Sequence, residues 1–242
     1  MPIKVGATGE EGSVIGGYNC IRDNLYRYYD ARDRKSATGS DTTWNDISGN
    51  NTDIILQASM GAEDHVNYYW DLDGSNDFLQ MPTLPFDEDT DFTLELWAFF
   101  RTDSLTGPGT VIMQGNTDHS FGFDRGNTSG TVRFGIRFSS TTVFGVTSNS
   151  LSTDTWYHLA GTMKNDDEVK LYVNGILQGT EDVEEATFSE TGTVRLGPTR
   201  VLSGTGTTYW DGAISVLRIY NKTLSHDEVL YNFNADRGGF GI

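Results

Sequence analysis

From about Tyr68 onward, apolar and polar residues alternate with the period of two that marks β-strands. In FTLELWAFF, Phe92, Leu94, Leu96, Ala98 and Phe100 fall on one face, and Thr93, Glu95, Trp97 and Phe99 take the other. Both faces carry aromatics, as expected of a strand inside a two-sheet sandwich. TVRFGIRF repeats the pattern, with Val132, Phe134, Ile136 and Phe138 inward and Arg133 and Arg137 outward. TTVFGVTS (141–148) is expected to pair with it across the Ser139-Ser140 connection. VKLYVNG puts Val169, Leu171 and Val173 on one side, and Asn174-Gly175 then supplies the positive φ angles of a two-residue hairpin turn.

One helix is legible. Ser225-His226-Asp227-Glu228 matches a capping box, in which the Ser225 hydroxyl accepts the Glu228 amide and the Glu228 carboxylate returns the bond. Leu224 and Val229 are placed as the flanking hydrophobic staple. The helix should run about two turns and stop at Gly238-Gly239. Residues 1–24 are glycine-rich with little periodicity and read as an extended N-terminal arm. Structure begins at Leu25 with the tyrosine-rich LYRYYDARD, followed by a loop, RKSATGSDTTWNDISGNN, carrying two turn signals. The expectation is therefore an all-β domain over 25–242, an antiparallel two-sheet sandwich with one short C-terminal helix.

Composition sharpens this picture. With 242 residues, 36% of them hydrophobic and 12% aromatic, the chain has enough apolar side chains for a sizeable core. Its 28 glycines suit short strands and many turns. The formal charge of −17, from 34 acidic against 17 basic residues, repels nucleic-acid phosphates and anionic lipid while attracting cations. No nucleic acid is expected as a partner. No apolar run approaches bilayer length, so no membrane insertion is expected either. The lone Cys20 excludes an intramolecular disulfide framework, and MPIKVGATGEEGSVIGG lacks the basic and apolar regions of a secretory signal.

Candidate chemistry is sparse. Glycosidases need two carboxylates flanking one bond, and no strand here carries such a pair. Glu95 stands alone on its strand, between Thr93 and Trp97, and the acidic run TEDVEEATFSE (180–190) reads as a solvated loop. None of His65, His119, His158 and His226 has a partner at metal-ligand spacing, and His158 reads as a hydrogen-bonded core residue. A Ca²⁺ ion wants six to eight oxygens; Asp71, Asp73, Asn76 and Asp77 cluster around Gly74, and Asp211 can approach from the last hairpin. The same residues are what a tight turn favours for backbone reasons. For sugar binding, Tyr209, Trp210 and Phe144 are candidate stacking platforms, with Arg200 and Asn149 as polar neighbours. Tyr209 and Trp210 introduce a strand and are equally placed for the core.

Six motifs in order carry a family resemblance. They are YYDARDRKSATGSDTTWNDISGNN, WDLDGSNDFLQMP with Asp73, Gly74 and Asp77, then FTLELW, WYHLAGT, LYVNG and IYNKTLSHDEV. Together, from about residue 25 to the end, they resemble the laminin-G-like jelly roll of the concanavalin-A-like lectin/glucanase superfamily. That resemblance implies a jelly-roll sandwich. The family often has an Asp in the strand before Val-Arg-Ile-Tyr, where this chain has Ser215. The ending, VLYNFNADRGGFGI, resembles the tails of laminin-G-like proteins of tailed bacteriophages, notably those of aquatic bacteria.

The resemblance implies a non-enzymatic structural protein of a bacteriophage virion, a capsid decoration or a tail or fibre component, in contact with host surface glycan. Its partners would be virion proteins held through residues 1–24, and host polysaccharide; a homo-oligomer is compatible with this role. It would lie at the virion surface after assembly in the host cytoplasm, which agrees with the unpaired cysteine. The alternative is a free lectin-like carbohydrate-binding module with a structural Ca²⁺. A third reading, a glycan hydrolase, requires a carboxylate pair that the strands do not carry.

Overall fold

The computed structural model describes residues 20–38, 42–57, 60–66, 68–86, 89–101, 110–115, 120–125, 130–137, 143–183, 192–197 and 209–242. Among these, two eight-stranded antiparallel sheets pack face to face. Sheet I comprises β1 (Leu25–Asp30), β4 (His65–Val66), β5 (Tyr69–Asp73), β7 (Phe92–Phe100), β12 (Thr155–Lys164), β13 (Glu168–Val173), β14 (Ile176–Asp182) and β16 (Asp211–Tyr220). Its order is β14-β13-β12-β7-β16-β5-β4, with β1 also beside β16. Sheet II comprises β2 (Thr43–Trp44), β3 (Ile54–Gln57), β6 (Phe78–Met81), β8 (Thr110–Gly115), β9 (Ser120–Arg125), β10 (Val132–Arg137), β11 (Val143–Thr147) and β15 (Val194–Leu196). It is ordered β11-β10-β9-β8-β15-β6-β3-β2. One helix, α1 (His226–Asp236), follows β16. The strands run antiparallel throughout, as a jelly-roll sandwich requires.

The core lies between the sheets, where Phe92, Leu94, Leu96 and Phe100 of β7 face Phe121, Phe123 and Phe134 of sheet II. Close approach has a specific cause at Gly161 of β12. A Cβ there would stand 2.2 Å from the Phe134 ring, so only hydrogen leaves room for it. The Asn174-Gly175 hairpin turn has the expected positive φ at both residues, 51° and 75°.

The other face of sheet I is covered by α1. Its capping box is formed, and Leu224 and Val229 are buried together against Ala160, Tyr172 and Tyr220. Phe233 and Phe240 stack on Trp97, with centroids 5.9 Å and 3.9 Å from it. The helix runs 11 residues, three turns instead of two. The chain then tightens into a 3₁₀ turn, Arg237–Phe240, and the left-handed residue that ends it is Gly241, not Gly238 or Gly239. This delay carries Phe240 back over the sheet.

Several expectations shift. Residues 20–24, assigned to the arm, pack on the domain: Cys20 is buried, and the Ile21 amide donates to Asn232 Oδ1 at 2.8 Å. The remainder of the arm, 1–19, lies outside the described residues. The 34–51 loop contains β2, and the Asp46 carboxylate ties it together by accepting from the amides of Tyr28, Ser48 and Thr52. The acidic run begins within strand β14, where Glu181 accepts from the Gly145 amide at 2.8 Å; its residues 184–190 lie outside the described residues. Arg133 and Arg137 sit on the outward positions of β10 yet are buried. Gly122, Gly135 and Gly145 stand side by side across β9, β10 and β11, and on this bare floor Arg133 lies flat and grips Asp124 through two bonds.

Candidate functional site: an aromatic shelf edged by an ion triad

Along the outer face of β7 the side chains run Thr93, Glu95, Trp97, Phe99. The Ser225 end of α1 begins over Thr93, whose Oγ1 accepts the Leu224 amide, and Phe240 ends over Trp97. Phe99 lies beyond this cover and is only half-buried. Strand register places Trp156 of β12 opposite Phe99, with ring centroids 5.5 Å apart. Tyr69 of β5 meets Trp156 edge-on at 5.6 Å. Ala213 lies between β7 and β5 in the register, small and buried, and Phe240 closes the inner side at 5.0 Å from Trp156. Tyr69, Phe99 and Trp156 are all half-buried, so each keeps an edge or face in water.

Tyr68 adjoins this shelf and is 63% exposed. Its φ of +82° is rare for a bulky residue and stores backbone strain. Ser215 holds it there. Ser215 sits where the β16 register shifts between Ile214 and Val216, and its Oγ donates to the Tyr68 carbonyl at 2.7 Å. Before the shift β16 pairs with β5, and after it with β1, so the bulge is the point where the two neighbours divide one strand edge.

The far edge of the shelf is ionic. Arg101, one residue past β7, donates to Asp71 of β5 and, at 2.7 Å, to Asp211 at the start of β16. The same guanidinium reaches the carbonyls of Leu72 (3.2 Å) and Gly212 (3.3 Å). Burial opposes the Arg101 charge, but Asp71 and Asp211 outweigh it and hold the guanidinium above its ordinary pKa. Asp73 pairs with Asp211 in the ladder, and its own carboxylate caps the following turn, accepting from Ser75 (2.7 Å) and Asn76 (3.3 Å). Those amide bonds draw the Asp73 carboxyl below its usual range. Asp77 accepts the Asp73 amide at 3.1 Å.

The five residues considered as Ca²⁺ ligands, Asp71, Asp73, Asn76, Asp77 and Asp211, thus gather at one turn without converging on a point. Two carboxylates grip Arg101 and two serve backbone amides. Among the described residues no three of His, Cys, Asp or Glu come together as a metal site. The residues present do not fit a calcium ion, because a fixed cation already bridges Asp71 and Asp211.

The residues considered for glycan are scattered. Trp210 is 2% exposed and belongs to the core, edge-on to Phe100 at 5.6 Å and pressed against Gly212, so it offers no face for stacking. Tyr209 is half-buried just before it. Phe144 pairs with Ile136 in the β10–β11 ladder; its side chain lies outside the described set, as does Arg200. Asn149 is exposed beside β14, where its amide donates to Gln178, on the edge of sheet I remote from β16. The shelf residues Tyr69, Phe99, Trp156 and Arg101 were missed as a set. Alternation alone puts Phe99 outward; what it lacks is the register that sets Trp156 beside it.

Glu95 is fully buried beneath α1 and is structural. It accepts from Arg218 (2.6 Å) and Asn232 (2.8 Å), with His158 Nε2 at 3.4 Å. Arg218 continues to Asp236, Asp236 to Arg32, and Arg32 to Asp30. Burial pushes the Glu95 carboxyl up, yet His158, Arg218 and Asn232 together pull it down to about 2. A carboxylate so enclosed and so acidic has no proton to give near neutral pH.

The Laminin_G_3 family model, described as the concanavalin A-like lectin/glucanases superfamily, matches residues 73–230. Comparison with curated proteins found no match. Among solved structures, the botulinum neurotoxin serotype D binding domain is similar, with a TM-score of 0.67 and 15% identity over 88% of this chain and 52% of that one. The binding domain of Paraclostridial Mosquitocidal Protein 1 gives 0.63 and 17% identity over 88% and 52%. This chain spans about half the length of those toxin domains. Domain 4 of AbnA, an extracellular arabinanase from Geobacillus stearothermophilus, solved with arabinotriose, gives 0.64 and 17% identity over 86% of this chain and 98% of that one.

Proposed function

The chain belongs to the concanavalin A-like lectin/glucanases superfamily, and on that footing we propose that it is a non-catalytic carbohydrate-binding module whose ligand lies on the Tyr69–Phe99–Trp156 shelf. The observation that carries this reading is the shelf itself. Three partly exposed aromatic rings set across β12, β7 and β5 of sheet I, beside an arginine and two carboxylates, offer a stacking surface with hydroxyl partners next to it. Glu95, enclosed and held ionised near neutral pH by His158, Arg218 and Asn232, supports a binding role over a catalytic one. On a glycan array the protein should be retained, and Trp156→Ala should lose at least about tenfold in retention while keeping its melting temperature within a few degrees. Unchanged retention by the variant would remove the shelf from consideration.

A second reading places this module at the virion surface of a bacteriophage, as a capsid decoration or tail component assembled in the host cytoplasm and attached through residues 1–24. It rests on the resemblance of the 229–242 run. Within the fold that run seals sheet I, through Asn232, Phe233, Asp236 and Phe240. Deleting residues 1–19 should then abolish co-purification with particles and leave the domain folded; a truncated protein that still travels with particles would count against it.

A further inference from the structure

We infer that the shelf takes an uncharged saccharide, and takes it without a metal ion. This rests on the carbohydrate-binding reading and narrows it. The aromatic rings stack on any pyranose or furanose face, so they do not choose by charge. The choice falls to the edge. Among the described residues Arg101 is the group there that could receive a sugar carboxylate or sulfate, and its guanidinium is already held by Asp71 and Asp211 and by two backbone carbonyls. Formally the triad carries one surplus negative charge, and Asp73 adds another beside Asp211. An anionic sugar would have to displace a carboxylate from Arg101 or sit next to two unneutralised ones, on a chain of charge −17.

A neutral sugar meets none of this. Asp71 and Asp211 are bonded to Arg101 through Oδ1 and are each about one-third exposed, so their carboxylates keep lone pairs facing water, where sugar hydroxyls can donate. The same pairing removes the need for calcium. In a metal-dependent lectin site a divalent cation organises carboxylates that then orient the sugar; here the guanidinium organises them, and Gly74 presses the turn directly against Asp211, where a Cβ would come within 2.8 Å. The ion's place is filled by a side chain.

The test is a glycan array carrying neutral oligosaccharides (glucans, arabinans, mannans, xylans) beside acidic ones (galacturonans, alginates, sialylated and sulfated glycans), probed with added calcium and with EDTA. Retention on neutral members, equal in both buffers and at least about tenfold above any acidic member, is the expected result. Preference for an acidic member, or loss of retention in EDTA, would overturn the inference while leaving the carbohydrate-binding reading in place. Retention by neither class would overturn both. The double variant Asp71→Asn/Asp211→Asn converts the triad from a net negative to a net positive edge, and it should gain retention on galacturonan. If it folds, by its melting curve, and gains none, the charge argument fails. If it does not fold, the wild-type comparison in the two buffers still decides.

Discussion

Phe240 lies flat on Trp97, with ring centroids 3.9 Å apart and planes 8° from parallel. The contact joins the turn after α1 to Trp97 on the outer face of β7, and Phe233 stacks on the same indole from α1. It explains why the chain continues past the helix as a 3₁₀ turn instead of ending at the first glycine.

Removing that ring should therefore weaken the whole sandwich and not merely fray its end. Phe240→Ala is expected to cost about 2 kcal/mol, the loss of a partly buried aromatic and its stacking partner. Urea denaturation followed by tryptophan fluorescence would show it as a lower midpoint with an unchanged slope. A change below about 0.5 kcal/mol would mean the tail rests on the sheet without holding it.

The acid limb of stability should bear the mark of Glu95. Its carboxyl is held at about 2 in the fold against an ordinary 4.5, so the charged form is the one the fold stabilises. That contribution is complete above pH 4.5 and disappears as pH falls through about 2. Glu95→Gln should cost about 3 kcal/mol at neutral pH, because Arg218 is left with one buried carboxylate fewer. The variant should also lose less stability than the wild type between the two pH values, and parallel acid titrations of the two proteins would contradict the assignment.

Gly161 offers a test of the sheet-to-sheet contact. Gly161→Ala puts a methyl carbon into the Phe134 ring and should destabilise by about 2 kcal/mol. Combined with Phe134→Leu, the added methyl should cost less than it does alone, a coupling that a double-mutant cycle reads directly. Additive effects would mean the strain is relieved elsewhere.

Much of the sandwich was legible because it depends on period and punctuation. The β7 alternation, the Asn174-Gly175 turn and the Ser225 capping box are local, and each stands as the sequence suggests. What escaped was set by partners distant in sequence. Trp210 reads equally as platform or core until Phe100 and Gly212 are seen against it. Asp71 and Asp211 read as metal ligands until Arg101, 30 and 110 residues away from them, arrives between them. Likewise Arg133 alternates outward as expected, and only the row of glycines across β9, β10 and β11, with Asp124 beside it, explains why an arginine facing away from the core is buried. Short strands such as β2 and β3 carry too few residues to show a period at all.

The β1–β16 ladder sets Leu25 opposite Tyr220, and Ile21 is bonded to Asn232 of α1. Tyr220 in turn pairs with Thr93, six residues along β7 from Phe99, a distance of roughly 20 Å in an extended strand. The chain does not stay at that end: Cys20 joins the cluster around Trp97, and α1 carries Phe240 back to the same indole and on to Trp156, so both flanks of the described domain come together beside the shelf. Phe240 is thereby a keystone between the helical cover and the shelf: a shift of the turn that carries it would tilt Trp156, and with it the floor on which a ligand of Tyr69 and Phe99 would rest.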